Sequence, residues 1–296
     1  MQISFRLGVI FILLAAAAWG LGGVAGQFLF QFYDVGAPWL IAVRQIIAGA
    51  VFLGYLLQRG ENIWAVLQDK TDRKDLLAFS FLGLLGAQFG FYYTISLCNA
   101  ATATVLQYTA PIIIMLYVSV RNKKVPQRIE MLALVLAVGG TFLLATHGNI
   151  TNLAISTETL VWGLASAVAM ALYNLIPGEL MKKFGTFNAI GWGMLIGGIF
   201  LCVFIKPWHV IGMWDIYTVL AMAAVILVGT ILSFTTYMEG VRLIGASKAS
   251  LFASVEPVTA TFMTVVFMGA AFQFVDFIGL AGILGAVLML SLLKKE

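Results

Sequence analysis

Residues 7–32 read LGVIFILLAAAAWGLGGVAGQFLFQF and carry no charged side chain. An α-helix rises about 1.5 Å per residue, so about 20 apolar residues cross the ~30 Å hydrocarbon core of a bilayer. The stretch is long enough to span a membrane, and it exceeds the apolar region of about 7–15 residues in a signal peptide. We therefore interpret it as a transmembrane helix, although the basic Arg6 precedes it as in a signal sequence.

The composition of the whole chain also indicates a membrane protein. Of the 296 residues, 61% are hydrophobic and only 10% are charged, whereas soluble domains carry about 25% charged residues. So little charge cannot cover a water-facing surface, which excludes a soluble enzyme and a nucleic-acid-binding domain. The high hydrophobicity excludes a disordered chain.

Apolar runs between polar breaks predict ten membrane spans. They lie at 7–32, 39–57, 76–97, 101–120, 129–147, 159–181, 187–205, 216–238, 247–269 and 273–293. We therefore expect an all-α integral membrane protein with ten transmembrane helices and short loops.

The basic residues give an independent test of this span count. With the N-terminus in the cytoplasm, fifteen of the seventeen Lys and Arg residues fall on cytoplasmic segments. Lys206 alone falls outside, and Arg44 lies within the second span. Because cytoplasmic loops are enriched in Lys and Arg, we predict a multi-pass plasma (inner) membrane protein with both termini in the cytoplasm. The net charge of +4 then reflects orientation, and we expect no nucleic-acid partner.

An internal repeat relates the two halves of the chain. When Pro111 is placed over Pro257, Gln127 aligns with Gln273 without a gap. The same register aligns Leu97 with Leu243, Ala103 with Ala249, Val120 with Val266, Glu130 with Asp276 and Gly139 with Gly285. Each match is weak by itself, and together they indicate a duplication of five spans.

The polar loop at about 148–158 divides the repeats. We assign residues 1–150 to a first five-helix repeat and residues 151–296 to a second. Since each repeat holds an odd number of spans, the second is inverted in the membrane. Inverted repeats with a site at their interface are typical of transporters.

Several motifs resemble those of a known transporter family. They are Trp19-Gly20, Ala42-Val43-Arg44, the stretch from Ala100 to Pro111 and the stretch from Ala246 to Pro257. On these residues the whole chain resembles the EamA family of the drug/metabolite transporter superfamily. The short links before the fifth and tenth spans match the family in position but not in content. The family often carries Gly-Glu there, whereas this chain has Asn122-Lys123-Lys124 and Gly269-Ala270-Ala271.

The resemblance carries expectations about architecture and activity. It implies ten helices around a central cavity built mainly from spans 1, 3, 4, 6, 8 and 9, with spans 5 and 10 peripheral. It also implies transport of small metabolites, commonly export.

Glu256 is the acidic residue that needs an explanation, because a charge near the centre of a membrane helix is costly. It precedes Pro257 and lies about 12 Å along a helix from Lys248, near the midplane of the bilayer. It could couple transport to protons or bind a substrate amine. Alternatively, it could be a protonated carboxyl that bonds the backbone freed by Pro257.

Arg44 is the basic residue held inside a span. It could contact a substrate carboxylate, or its side chain could extend outward to lipid headgroups or to Asp34. Because the second span is not expected to line the cavity, we favour the structural role for Arg44.

Neutral polar and aromatic groups at membrane depth complete the candidate site. Gln88 and Tyr92, Gln107 and Pro111, Asn174 and Gly178, and Ser233 and Tyr237 are pairs spaced four residues apart, so each pair shares a helix face. Trp19 lies in mid-span, away from the interfacial belt where Trp is enriched. The predicted substrate-binding residues are Trp19, Gln88, Tyr92, Gln107, Asn174, Tyr237 and Glu256. Packing between helices is the alternative role for each of them.

The sequence contains no motif for a nucleotide-binding, catalytic or metal site. The chain has no GxxxxGK[ST] loop, no Ser-His-Asp or Cys-His arrangement and no cluster with metal-ligand spacing. Cys98 and Cys202 both lie in apolar runs, which disfavours a disulfide. We therefore expect no catalytic residues, cofactor or metal. The absence of paired Lys or Arg in spans four and nine argues against a phosphate substrate.

These patterns predict a secondary transporter that works by alternating access. We expect a small-molecule substrate of the amino-acid class, with Glu256 as the proton-coupling residue. The alternative within transport is an importer or exchanger of organic cations such as quaternary amines or drugs. An intramembrane enzyme or a receptor would need a nucleophile–base pair or larger loops. The expected partners are the lipid bilayer and at most a second copy, as a monomer or weak homodimer.

Overall fold

A computed structural model describes residues 2–121, 123, 127–147, 155–244, 249, 252–253 and 255–293. This part of the chain forms helices joined by short turns and contains no strand. The helices are α1 (Gln2–Phe32), α2 (Ala37–Gln58), α3 (Lys70–Leu97), α4 (Ala100–Arg121), α5 (Arg128–Thr146), α6 (Thr157–Leu175), α7 (Gly178–Phe184), α8 (Thr186–Ile205), α9 (Ile216–Ile244), α10 (Glu256–Met268) and α11 (Phe274–Leu293). A 3-10 turn at Ala65–Leu67 lies between α2 and α3.

Seven of the described helices are long and apolar enough to cross a membrane, namely α1, α2, α3, α4, α6, α8 and α9. Shorter apolar helical stretches lie at Met131–Gly140, Glu256–Met268 and Phe274–Ala286. The all-helical, multi-pass architecture that the composition predicts is therefore present. The count of ten spans in inverted repeats stays a prediction.

The fourth predicted span is not one continuous helix. In α4 the segments Ala100–Gln107 and Ala110–Arg121 are separated by a turn at Tyr108–Thr109. Hydropathy predicts a single run over 101–120 because every residue there is compatible with the membrane. The break is a property of the backbone that hydropathy does not report.

The sixth predicted span, 159–181, is also interrupted. Helix α6 ends at Leu175, and α7 begins after Pro177. Proline has no N–H to continue the hydrogen-bond ladder, and its ring clashes with the preceding turn. By contrast, the eighth predicted span is longer than expected, since α9 continues to Ile244.

Some predicted features lie outside the described residues. They are the loop residues 148–154, residues 245–248, 250, 251 and 254 of the ninth predicted span and its approach, and the basic residues Lys124, Lys248, Lys294 and Lys295. The described part of the ninth span comprises residues 249, 252–253 and 255 and helix α10, which begins at Glu256.

Helix boundaries recur at a fixed spacing along the chain. The starts of α3 and α9, of the second α4 segment and α10, and of α5 and α11 are each 146 residues apart. Both α3 and α9 also contain a π-helical stretch, at Phe79–Leu85 and Ala224–Leu232. This is the spacing at which Pro111 aligns with Pro257.

Helix α1 packs against α3, α9 and α10 and so connects distant parts of the sequence. Its approach to α9 is close, because a Cβ on Gly22 would lie only 2.7 Å from the Cα of Gly229. Small residues allow helix backbones to approach each other in this way. Helices α5 and α11 pack chiefly on each other, which leaves α1 to organise the helices that hold the candidate site.

Candidate functional site

Two helix starts bring the site together. The second segment of α4 begins at Ala110 after the Tyr108–Thr109 turn, and α10 begins at Glu256. The first turn of a helix has backbone N–H groups without helical partners and carries partial positive charge. Transporters use such discontinuous helices to present polar backbone at membrane depth.

The hydroxyl of Tyr108 joins these two regions. It lies 2.8 Å from the Ala253 carbonyl oxygen and 3.1 Å from Oε2 of Glu256. A phenol has one hydrogen to donate, and here it faces two acceptors. When Glu256 is ionised, the hydroxyl can donate to the carboxylate. When Glu256 is protonated, the acid can donate to the phenol oxygen while the hydroxyl donates to Ala253.

Aromatic rings form a wall beside Glu256. The ring of Trp19 lies 5.1 Å from that of Tyr237 and 5.6 Å from that of Phe234, measured between centroids. Tyr237 packs against the buried cluster that includes Ala253, whose carbonyl oxygen lies 2.8 Å from the Tyr108 hydroxyl beside Glu256. The wall also abuts α10 directly, since a Cβ on Gly20 would lie 3.1 Å from the backbone nitrogen of Ala260. Trp19 and Tyr237 are therefore brought together as predicted residues of one region.

Arg44 is buried and does not extend to the outer surface. Its side chain is 4% exposed, and its Nε donates to Oγ1 of Thr230 at 2.5 Å. The guanidinium carbon lies 4.7 Å from the ring centroid of Tyr92, within the range of a cation–π contact. Arg44 thus points toward α3 and α9, so the interpretation of a side chain extended to headgroups or Asp34 is wrong.

Tyr92 packs against Arg44. It is 3% exposed, and its ring lies beneath the guanidinium of Arg44. Its hydroxyl is 3.5 Å from the Gly22 carbonyl oxygen, a long contact. Tyr92 therefore joins α3 to Arg44 of the second span and to α1.

The three predicted amides have different surroundings. Gln107 donates from Nε2 to the Ala87 carbonyl at 3.2 Å, and the Oε1 atom of Gln88 is buried without a partner among the described residues. Asn174 is exposed and donates to the Met170 carbonyl of its own helix at 2.7 Å. The neighbouring Tyr173 packs against Phe79, with ring centroids 5.5 Å apart.

Tyr108 and Thr230 were not among the predicted binding residues. Tyr108 is at membrane depth directly beside Gln107. The sequence does not show that the helix is interrupted at Tyr108, and this interruption is what places its hydroxyl in the site. Thr230 had no signal in the sequence, because a threonine within an apolar helix commonly bonds its own backbone. Thr230 does this too, donating to Val225 at 2.8 Å, and its oxygen also accepts from Arg44.

A separate cavity of about 290 Å³ lies away from the predicted residues. Its lining includes Cys98, Asn99, Ser156 and a contact between Nδ1 of His147 and Oδ1 of Asp276 at 2.5 Å. None of the predicted binding residues lines it. Within the described part of the chain, no group of three or more His, Cys, Asp or Glu residues could hold a metal ion.

Comparison with known proteins now identifies the family. The sequence model of the EamA-like transporter family matches residues 6–146 and again residues 157–292. The chain belongs to the EamA-like transporter family. As an EamA-like protein it is a multi-pass membrane transporter of the drug/metabolite type.

Curated relatives of this EamA-like chain carry transporter names. One is 35% identical over 289 residues, 98% of this chain and 96% of the relative, and is named the uncharacterized inner membrane transporter YicL of Salmonella typhimurium. Another is 23% identical over 286 residues, 95% and 90% of the two chains, and is named the threonine/homoserine exporter RhtA of Salmonella typhimurium. A crystal structure of a protein with 20% identity matches 99% of this chain and 97% of its own with a TM-score of 0.61, a likeness that concerns the fold alone.

Proposed function

We propose that this EamA-like protein is a secondary active transporter that exports small organic metabolites, with amino acids as the most suitable class. It works by alternating access between two inverted five-helix repeats, residues 1–150 and 151–296. The recurrence of helix starts after 146 residues and the two matches to one family model support the duplication. The name of the exporter RhtA supports the direction and the class of cargo.

The observation that carries this proposal is the contact between Tyr108 and Glu256. These residues come from different family segments: Tyr108 lies in the turn that interrupts α4, and Glu256 begins α10. Protonation of Glu256 would change which oxygen receives the Tyr108 hydrogen, since the acid form can donate and the ionised form can only accept. A contact that depends on one proton and joins the two segments can couple proton binding to their relative movement.

Each remaining predicted residue has a role in this scheme. Gln88, Gln107, Asn174 and Tyr237 orient the substrate, while Trp19 and Tyr92 form apolar walls. The protein sits in the plasma (inner) membrane with both termini in the cytoplasm, as a monomer or weak homodimer.

Transport by purified protein in liposomes tests the proposal. Wild-type protein is expected to move at least one radiolabelled amino acid from a broad panel, beginning with L-threonine and L-homoserine, faster than empty liposomes. A pH gradient should accelerate this transport. If no amino acid is moved, the proposed substrate class is wrong.

Two matched variants then test the coupling residue. Glu256→Gln keeps the shape of the side chain but cannot release a proton, so it should exchange substrate without acceleration by a pH gradient. Glu239→Gln is the control, because Glu239 lies in α9 and pairs with Arg242. Acceleration that persists in Glu256→Gln would exclude this residue as the coupling group.

Transport of organic cations is the second candidate. The aromatic wall of Trp19 and Tyr237 beside the carboxylate of Glu256 favours it, because aromatic faces and a carboxylate both attract quaternary amines. Choline and tetramethylammonium should then compete with substrate at neutral pH. The absence of competition at millimolar concentrations would rule against this candidate.

A further inference from the structure

The guanidinium of Arg44 is an incompletely satisfied charge inside a membrane helix. One nitrogen, Nε, donates to Thr230, and the planar group lies over Tyr92. Nη1 is buried and has no partner among the described residues. No ion pair involves Arg44 in this part of the chain. A buried charge is costly unless it is paired. A bound anion would supply the partner that Nη1 lacks.

A second buried polar atom without a partner belongs to the helix that contacts Arg44. Gln88 is four residues before Tyr92 in α3, so the two share a helix face about 6 Å apart. Oε1 of Gln88 is buried without a partner among the described residues. The ring of Tyr92 contacts the guanidinium of Arg44. Tyr92 therefore contacts a donor that needs an anion and shares a helix face with an acceptor that suits a cation.

We infer that Arg44 binds the carboxylate of a zwitterionic substrate, whose ammonium group lies toward Gln88. The inference rests on the proposed function and names its substrate class as free amino acids with an unblocked carboxylate. A carboxylate can accept from Nη1 while Nε stays bonded to Thr230. The ammonium can donate to the free amide oxygen of Gln88.

The charges favour a zwitterion over a bare cation. A zwitterion brings an anion to Arg44 and a cation to the free amide oxygen of Gln88, so both unpartnered groups gain a partner. A quaternary amine would leave Arg44 unpaired and would add a second positive charge near Tyr92. The arrangement thus selects against amines that lack a carboxylate, including the organic cations of the second candidate function.

Ligand-induced thermal stabilisation of the wild-type protein in detergent tests this selection without any variant. The probes are the proteinogenic amino acids, each compared with its amide and with the alcohol that replaces its carboxylate, such as L-threonine against L-threoninamide and L-threoninol. We expect at least one amino acid to raise the Tm, because a ligand of the folded state stabilises it, and its amide and alcohol to have no effect. Equal stabilisation by the acid and its amide would overturn the role of Arg44 and leave the proposed function standing. No stabilisation and no transport by any amino acid would instead overturn the proposed function.

Variants locate the selection at Arg44. Arg44→Gln should lose about 30-fold or more in affinity for the amino acid, the loss expected when one partner of a buried charge pair is removed. Arg44→Lys should recover part of it, since lysine keeps the charge without the planar fork. Arg59→Gln is the matched control and should leave the affinity unchanged, because Arg59 follows α2, is exposed and pairs with Glu61. An Arg44→Gln protein that discriminates acid from amide as well as the wild type does would refute the assignment.

Discussion

The crossing of α2 and α8 gives a stability prediction whose magnitude follows from the geometry. A Cβ on Gly49 would lie 2.7 Å from the backbone nitrogen of Leu195 and 2.9 Å from the carbonyl oxygen of Gly191. Both atoms belong to the backbone, so no rotamer change relieves the overlap and the helices must move apart. Overpacking of this kind costs about 1–3 kcal/mol in free energy of unfolding. Gly49→Ala should therefore destabilise the protein.

Gly54→Ala is the matched control, because it lies in the same helix and its Cβ would have nothing within 4 Å. Both variants gain the same helix propensity, about 1 kcal/mol in favour of alanine, so their difference isolates the crossing. Thermal unfolding in detergent, followed by size-exclusion chromatography, should place the Tm of Gly49→Ala about 2–10 °C below that of Gly54→Ala. Equal melting temperatures would refute the close approach of α2 and α8. Since Arg44 is on α2, the same variant should also weaken substrate binding.

Three further predictions concern the aromatic wall, a helix cap and the orientation of the chain. Trp19→Leu should raise the KM for transport by about 2- to 10-fold, because it removes one aromatic pair. Trp208 is exposed, so Trp208→Leu should leave the KM unchanged. Equal effects of the two variants would contradict a binding role for Trp19. Asn99→Ala should lower the Tm by about 2–4 °C, because the Asn99 side chain accepts from the Thr102 N–H at 2.8 Å and such a cap is worth about 1 kcal/mol; an unchanged Tm would contradict this. In a background with Cys98 and Cys202 replaced, Trp208→Cys should react with an impermeant maleimide in intact cells and Arg73→Cys only after permeabilisation, and the reverse pattern would invert the orientation.

Hydropathy predicts the ends of a helix well where the length of the apolar run alone determines them. The fifth predicted span, 129–147, and the tenth, 273–293, agree with α5 and α11 within one residue at each end. Hydropathy does not predict the interruptions at Tyr108–Thr109 and at Pro177, because an apolar residue is equally apolar in a helix or a turn.

The sequence predicts how deep each residue of the candidate site lies in the membrane, but not the direction in which its side chain points. Sequence places Arg44 and Asn174 at particular heights in the membrane, yet the direction of a side chain depends on how its helix packs. Arg44 turns toward Tyr92 and joins the candidate site, although its span was expected to lie apart from the cavity. Asn174 is exposed and bonds its own helix.

The site contacts cross repeatedly between the two segments that match the family model, 6–146 and 157–292. Trp19 meets Tyr237, Arg44 bonds Thr230, and Tyr108 bonds Glu256, each pair joining one residue from each segment. Side chains that bridge two bodies are the first to change partner when the bodies move. Of these bridges, Tyr108 with Glu256 is the one on which the proposed proton coupling would act, and Arg44 with Thr230 leaves Nη1 without a partner among the described residues. Proton and substrate would therefore act on the same boundary, and a ligand that satisfies Arg44 would bias the arrangement that Glu256 senses.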